Sequence, residues 1–125
     1  MVETGRKVLI VDDDPNIVGF VKLLLETEGY SVITARNGRE ALEEVRMHDP
    51  KVVLLDMVMP VMDGWEFSRE LRSDGHRDLA IVVMSASVDA RKTCDQIGAH
   101  GYLAKPFDLD HLLSCVDAIF RRVDG

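Results

Sequence analysis

The sequence predicts an α/β fold in which a five-stranded parallel sheet carries helices on both faces. Short apolar runs alternate with segments of helical periodicity five times along the chain. The runs are largely β-branched and show no alternation of apolar and polar residues, which is typical of parallel strands covered on both sides. Five β-α repeats joined by right-handed crossovers build a doubly wound sheet.

The strands are expected where the apolar runs are shortest and most continuous. Three strong candidates are Val8–Val11, Val52–Leu55 and Ile81–Met84. Each is too short to be a buried helix. Two weaker candidates, Ser31–Thr34 and Gly101–Ala104, complete the five.

A helix is expected after each strand. The first is introduced by Asp14 and Pro15, an N-cap residue followed by proline at the first helical position, and it stops at Gly29. The next three are predicted at Gly38–Val45, Trp65–Leu71 and Val88–Ile97. The fifth follows Pro106, Phe107 and Asp108 and extends to Phe120, because Leu109, Leu112, Leu113, Val116, Ile119 and Phe120 repeat with helical spacing.

Two details of these helices are less regular. In the third helix, Trp65 and Leu71 are expected to face the core, with Phe67 as a weaker apolar position. Trp65 is expected to have a packing role. The tail from Arg121 to Gly125 follows the last apolar position of the fifth helix, and we expect it to fray.

Length and composition limit the classes of protein. A chain of 125 residues, 46% apolar and 30% charged, is expected to form one globular domain, 1–125. Its 22 acidic and 15 basic residues leave a net charge of −7, which disfavours nucleic-acid and anionic-membrane binding by this domain. No apolar run reaches the roughly 20 residues of a membrane helix, and no signal peptide is evident, so a cytoplasmic location is expected. Cys94 and Cys115 show no metal-binding spacing and are expected to be reduced thiols.

Polar residues follow four of the predicted strands. Asp12 and Asp13 follow the first, Asp56 the third, Ser85 the fourth and Lys105 the fifth. The carboxyl ends of parallel strands meet at one edge of an open α/β sheet, where ligands bind. We therefore expect these five side chains to converge there.

The carboxylates in this group require a counter-charge. Helix capping accounts for Asp14, but not for Asp12, Asp13 and Asp56 together. Two unit charges ~4 Å apart repel by about 4 kcal/mol at an effective dielectric of ~20. A set of oxygen ligands points to Mg²⁺ or a similar hard ion.

The role of Lys105 has two interpretations. It is either a counter-ion of the carboxylates or, together with Ser85, a clamp for phosphate. In the second interpretation the group contains a nucleophilic carboxylate, a divalent ion, a hydroxyl donor and an ammonium group. Those parts suffice to move a phosphoryl group onto an aspartate, because this chemistry depends mainly on positioning and charge neutralisation.

With these motifs in place, the chain resembles the receiver domain of two-component response regulators, and is similar to the single-domain chemotaxis type. The resemblance covers essentially the whole chain and implies a flavodoxin-like fold. The matching motifs are Val8–Pro15, Val53–Pro60 with Met62–Gly64, Val83–Ala86, and Gly98-Ala99 with Gly101–Phe107.

The resemblance implies a phosphoacceptor and a metal site. Asp56 would take a phosphoryl group from a histidine of a sensor histidine kinase or a histidine phosphotransfer protein. Asp13 would bind Mg²⁺ directly and Asp12 through water, with Asp56 and the backbone carbonyl of Val58 as further ligands. The implied role is signalling, with slow self-dephosphorylation as the only reaction of its own.

The resemblance also implies a switch. Ser85 and Lys105 would contact the phosphoryl oxygens, and Tyr102 would change rotamer on activation. The changed surface would serve a downstream protein partner or a fused output domain. The kinase, the output and the oligomeric state are not specified by the sequence.

Two departures from the usual pattern concern the region after the fourth strand. Serine stands at position 85, where threonine is more usual, so the hydroxyl is kept without the stiffening methyl group. Lys105 follows Ser85 by 20 positions, a residue or two fewer than is common, and the shortfall lies before Gly98. This segment is commonly a partner surface, so the partner geometry is expected to differ.

Two other functions fit the sequence less well. A phosphatase of the haloacid-dehalogenase type has paired aspartates resembling Asp12 and Asp14, but Pro15 departs from its pattern and Asp56 would have no role. A flavodoxin-like cofactor binder needs a phosphate loop after the first strand, where three aspartates would repel phosphate.

Overall fold

The protein is described by a computed structural model, in which the described residues form five strands that alternate with five helices. The structure describes residues 6–59, 61–76, 79–86, 90–105 and 108–124. In chain order the elements are β1 (Lys7–Val11), α1 (Pro15–Thr27), β2 (Ser31–Ala35), α2 (Gly38–His48), β3 (Val52–Asp56), α3 (Gly64–Ser73), β4 (Ala80–Ser85), α4 (Ala90–Ile97), β5 (Gly101–Ala104) and α5 (Leu109–Asp124). Within these ranges, none of the helices combines the length and apolar character needed to cross a membrane.

All five strands belong to one parallel sheet in the order β2-β1-β3-β4-β5. The predicted doubly wound α/β fold is therefore confirmed. The chain starts in the middle of the sheet, runs to one edge, crosses back over β1 and then proceeds to the other edge. The central strands β1, β3 and β4 are almost completely buried, as their continuous apolar runs predicted.

The two faces of the sheet carry separate cores. On one face, residues of α2, α3 and α4 pack against alternate strand residues such as Leu9 and Val53. On the other face, α1 and α5 cover the intervening residues such as Ile10 and Leu54. Successive strand residues point to opposite faces, so each apolar run contributes to both cores.

Side-chain caps fix the starts of the helices. Asp14 accepts a hydrogen bond from the backbone N–H of Asn16, which confirms its predicted role as the cap of α1. Asn37 caps α2 and Asp63 caps α3 in the same way. At α5 the carboxylate of Asp108 accepts from a backbone N–H in the first turn.

The helix ends differ from the predicted ones in three helices, and α3 spans Gly64–Ser73 rather than Trp65–Leu71. Helix α2 runs three residues beyond Val45, to His48. Helix α5 extends to Asp124, so the expectation of a frayed tail is wrong for 121–124. Arg121 and Arg122 stand in its last turn, where positive charge interacts favourably with the helix dipole. The predicted start of α4 at Val88 lies outside the described residues.

The inward face of α3 also differs from the prediction. Phe67 and Leu71 are fully buried, one helical turn apart, whereas Trp65 is 36% exposed. Two positions correspond to about 200° around a helix, so Trp65 cannot share the face of Phe67. The third inward position belongs instead to Ser68, which is buried.

Candidate functional site

Three carboxylates meet at the carboxyl edge of the sheet. Strands β1 and β3 are adjacent and in register, with Val11 opposite Leu55, so the next residues, Asp12 and Asp56, lie side by side. Together with Asp13 they offer ligand oxygens that all lie within 4.8 Å of one another. Asp12 is buried, Asp56 half-buried and Asp13 exposed, so the cluster opens to solvent on one side.

Lys105 joins this cluster from the end of β5. Its Nζ donates to Asp12 Oδ2 at 2.8 Å and lies 3.8 Å from Asp56 Oδ2. Its backbone N–H donates to the carbonyl oxygen of Ser85 at 2.7 Å, which fixes the stem of the side chain. In this structure Lys105 is therefore a counter-ion, bonded more closely to Asp12 than to Asp56.

The backbone holds the carboxylates in place. The N–H of Asp12 donates to the carbonyl of Ala35 on the neighbouring strand, and Asp12 Oδ1 accepts from the N–H of Asp14 at 2.9 Å. Asp56 Oδ1 accepts from the N–H of Val58 at 3.2 Å. The site is thus preorganised by the strand ends rather than by long flexible loops.

The charges at this edge are not balanced by the protein. Burial raises the pKa of Asp56, and the neighbouring carboxylates Asp12 and Asp13 raise it further. The Val58 N–H and the Lys105 ammonium act in the opposite direction and do not cancel the rise in pKa. An ionised carboxylate is therefore disfavoured here until a cation joins it.

The donor set suits Mg²⁺. Hard divalent cations take oxygen ligands, and a cluster of three carboxylates supplies them without any competing thiol or imidazole. The lysine already present leaves two of the three negative charges uncompensated. The residues that could hold the ion are Asp12, Asp13 and Asp56.

Two glycines bring the loop between β3 and α3 close to the site. The N–H of Gly64 donates to the Met57 carbonyl, and a Cβ at Gly64 would lie 2.8 Å from Met57 Cα. The N–H of Gly38 donates to the Met62 carbonyl at 2.9 Å, which joins this loop to the start of α2. Neither contact was predicted from the sequence, although a glycine directly after each cap residue is a usable signal.

The other predicted site residues lie near this edge at different depths. Ser85 ends β4, one residue beyond Met84, which stands opposite Asp56. Tyr102 lies in β5, 38% exposed, behind the site. The side chain of Val58 is 82% exposed, and its backbone N–H donates to the Asp56 carboxylate.

A doubly wound sheet with an acidic cluster at its carboxyl edge occurs in a class of small signalling domains as well as in several enzymes. Comparison with known proteins resolves this choice. The sequence profile of the family described as "Response regulator receiver domain" matches residues 8–117. The chain belongs to the response regulator receiver domain family.

Proteins with similar sequences support this family assignment. The chain is 43% identical over 118 residues to the response regulator MprA of Mycolicibacterium vanbaalenii, covering 93% of this chain and 51% of that protein. It is 38% identical over 125 residues to the probable transcriptional regulator ycf27 of Guillardia theta, covering 98% of this chain and 48% of that protein. The chain thus spans about half the length of these relatives.

Solved structures show the same fold. The chemotaxis protein CheY4 of Vibrio cholerae superposes with a TM-score of 0.83 at 34% identity, over 90% of this chain and 97% of that chain. The response regulator TrrA of Thermotoga maritima, solved with Mg²⁺-BeF, superposes with a TM-score of 0.81 at 34% identity, over 91% of this chain and 98% of that chain. The phosphatase alternative is not supported by these similarities.

Proposed function

We propose that residues 1–125 form a single receiver domain that accepts a phosphoryl group on Asp56. The phosphorus–nitrogen bond of a phosphohistidine breaks and a phosphorus–oxygen bond to Asp56 forms. The donor is a sensor histidine kinase or a histidine phosphotransfer protein in the cytoplasm. The observation that carries this proposal is the set of three carboxylates within 4.8 Å of one another, with Lys105 among them.

The residues of the cluster have distinct roles in this proposal. Asp12, Asp13, Asp56 and the Val58 carbonyl would hold Mg²⁺, which would supply positive charge against the incoming phosphoryl group. Asp56 supplies the attacking oxygen, and its position at a strand end orients that oxygen. Lys105 already lies 3.8 Å from the Asp56 carboxylate, so a short shift away from Asp12 would bring its ammonium to a phosphoryl oxygen.

A direct measurement of phosphoryl uptake tests the acceptor. With Mg²⁺ and acetyl phosphate, the intact mass should rise by one phosphoryl group, and a chelator should prevent the rise. Asp56→Ala should abolish it. Asp14→Asn is the matched control, since Asp14 caps α1 and asparagine caps equally well. Full labelling of Asp56→Ala, with the label on neither Asp12 nor Asp13, would refute the proposal.

The switch in this proposal starts at Ser85. Phosphorylation adds about two negative charges and three acceptor oxygens. The Ser85 hydroxyl donates to one of these oxygens and draws its loop towards Asp56, and Tyr102 turns inward into the vacated space. The phosphoryl group biases an existing equilibrium, with a coupling of about 1–3 kcal/mol.

Two cysteines can report on the surface of α4, β5 and α5, which this switch would change. Cys94 in α4 is buried and Cys115 in α5 is half-buried, and burial raises the pKa of both thiols, so their basal labelling should be slow. Beryllofluoride with Mg²⁺ should change the labelling rate of at least one of them. Ser85→Ala should weaken the change and leave Mg²⁺ binding intact. Unchanged labelling and unchanged Tyr102 resonances would exclude this route.

Helix α1 is the surface that we propose for the phosphodonor. It starts directly after the acidic cluster and exposes Phe20 and Leu23, which are 53% and 66% accessible and lie one turn apart. A Cβ added at Gly19, beside them, would meet nothing within 4 Å, so a partner helix can approach closely.

A comparison of two donors tests this surface. Phe20→Ala should slow transfer from phosphorylated histidine phosphotransfer domains and leave uptake from acetyl phosphate unchanged. Met47→Ala is the control, because Met47 is 74% exposed on α2. Equal slowing with both donors would assign Phe20 to the integrity of the site rather than to docking. The downstream partner or output domain is a separate part of the proposal, expected at the surface of α4, β5 and α5.

A further inference from the structure

A groove separates α3 from α4 on the face that carries α2. Its first section has a volume of about 450 Å³ and is lined by Trp65, Ser68, Arg69, Arg72, Gln96 and Ile97. A second section of about 440 Å³ continues from it, between Arg72, Ile97, Gly98 and His100. Both sections are shallow and open to solvent, so a ligand bound here would keep part of its surface in water.

The groove lies between α3 and α4, which make few contacts with each other. Helix α2 packs directly against α3, whereas α4 contacts mainly the strands β4 and β5. Helix α4 ends at Ile97, and Gly98 follows it with a φ of 68°.

The lining of the groove combines an aromatic wall with positive charge. Trp65 is 36% exposed, and Ile97 provides the apolar surface across from it. Arg69 is exposed, while Arg72 is half-buried and donates to the carbonyls of His76 and Leu79, which holds its guanidinium in place. Among the described residues that line the two sections, none is acidic, although the chain carries a net charge of −7.

We propose that this groove binds a nucleotide. The base would stack on Trp65, and the phosphates would take charge-assisted hydrogen bonds from Arg69 at the open side of the groove. Gln96 offers both a donor and an acceptor to the edge of a base. The combination of a flat aromatic wall, a guanidinium and an amide within one small volume favours a nucleotide over an acidic peptide, which would need a longer track of positive charge.

The experiment uses the one tryptophan of the chain as its reporter. AMP, ATP, GMP and GTP are titrated in EDTA, so neither Mg²⁺ binding nor phosphoryl transfer contributes, and the result is independent of the proposed receiver chemistry. At least one nucleotide should quench Trp65 fluorescence saturably. Adenosine, which lacks the phosphates, and pyrophosphate, which lacks the base, should each bind at least about tenfold more weakly.

Single substitutions test whether the nucleotide binds in this groove. Arg69→Ala should raise the dissociation constant about tenfold or more, because a hydrogen bond to a charged group is lost. Arg39→Ala, an exposed arginine on α2 away from the groove, should leave it unchanged. By calorimetry, Trp65→Phe should retain binding and Trp65→Ala should lose it. Absence of saturable binding, an unaffected Arg69→Ala, or tighter binding of a polyglutamate peptide than of any nucleotide would overturn the proposal.

Discussion

The two edges of the sheet differ in whether their charged side chains are balanced by partners. At the carboxyl edge, three carboxylates share one lysine, and the pKa of Asp56 is raised by burial and by its acidic neighbours. At the amino edge, two cations have partners of their own: Lys7 Nζ donates to the His48 carbonyl at 3.1 Å, and Arg46 pairs with Asp74 at 2.6 Å.

The backbone shows the same contrast. At the carboxyl edge, Val61 has a φ of 69°, a left-handed conformation that costs a β-branched residue about 1–3 kcal/mol. At the amino edge, Asp49 also has a positive φ, 50°, but it ends α2, and aspartate tolerates this conformation. The carboxyl edge therefore holds clustered charge and backbone strain around the acidic cluster, whereas the amino edge stabilises the domain.

The largest expected effect is at the proposed metal site. In metal-free protein, Asp13→Asn should raise the melting temperature, because it removes one of three clustered charges. In wild-type protein, Mg²⁺ at 100 times its dissociation constant should add about 2.7 kcal/mol to the free energy of unfolding, and Asp13→Asn should lose this increment. Asp14→Asn is the control and should retain it. A variant that melts lower while Mg²⁺ still stabilises it would assign Asp13 to the structure.

The next effect concerns close packing in the loop between β3 and α3, which follows Asp56. Gly64→Ala places a Cβ 2.8 Å from the backbone of Met57 and should lower the free energy of unfolding by about 1–3 kcal/mol. Gly19→Ala in α1 meets nothing within 4 Å and should raise it by about 0.5–1 kcal/mol. Urea unfolding measures both. If Gly64→Ala leaves the free energy of unfolding unchanged, the loop between β3 and α3 accommodates the added Cβ without strain.

A smaller effect is expected from the backbone strain. Val61→Gly should raise the free energy of unfolding by about 1 kcal/mol, because relief of strain exceeds the entropy that glycine adds to the unfolded chain. The same substitution at Asp49 should be close to neutral, since aspartate is little strained there. Equal changes in the free energy of unfolding at Val61 and Asp49 would show that the two edges do not differ in backbone strain.

The smallest effect is on pH dependence, where the two edges should have opposite signs. The raised pKa of Asp56 means that its contribution to stability is present below the ordinary value, 3.8, and is lost as pH rises through the raised value. At the amino edge, burial, Arg72 and Arg122 lower the pKa of His100, whose Nδ1 lies 3.4 Å from the Ile81 N–H and accepts from it. Its contribution is present above 6.5 and is lost as pH falls through the lowered value.

Thermal unfolding of metal-free protein, measured from acidic to neutral pH, separates the contributions of Asp56 and His100. Asp56→Asn should flatten the curve on the acidic side and stabilise the fold at neutral pH. His100→Gln should flatten the decline just below neutrality, whereas His111→Gln, at an exposed position on α5, should not. If the stability of the wild type falls steeply on acidification and that of Asp56→Asn does not, the sign assigned to Asp56 is wrong.

The sequence by itself determined the order of elements and the set of residues at the carboxyl edge. Apolar runs without alternation specify buried parallel strands, and the residue after each run must lie at that edge whatever the details of packing. Asp12, Asp13, Asp56, Ser85 and Lys105 could thus be predicted as neighbours. The start of α1 was equally predictable, because the cap at Asp14 is a local interaction.

Only the tertiary structure decided how these residues pair. Lys105 bonds more closely to Asp12, 93 positions away, than to Asp56, and this choice depends on sheet register and on side-chain reach. The exposure of Trp65 and the open groove beside it depend on where α4 ends relative to α3, which no local pattern records. Periodicity reports which face of an element is apolar, whereas distances between distant segments follow from how all the elements pack together.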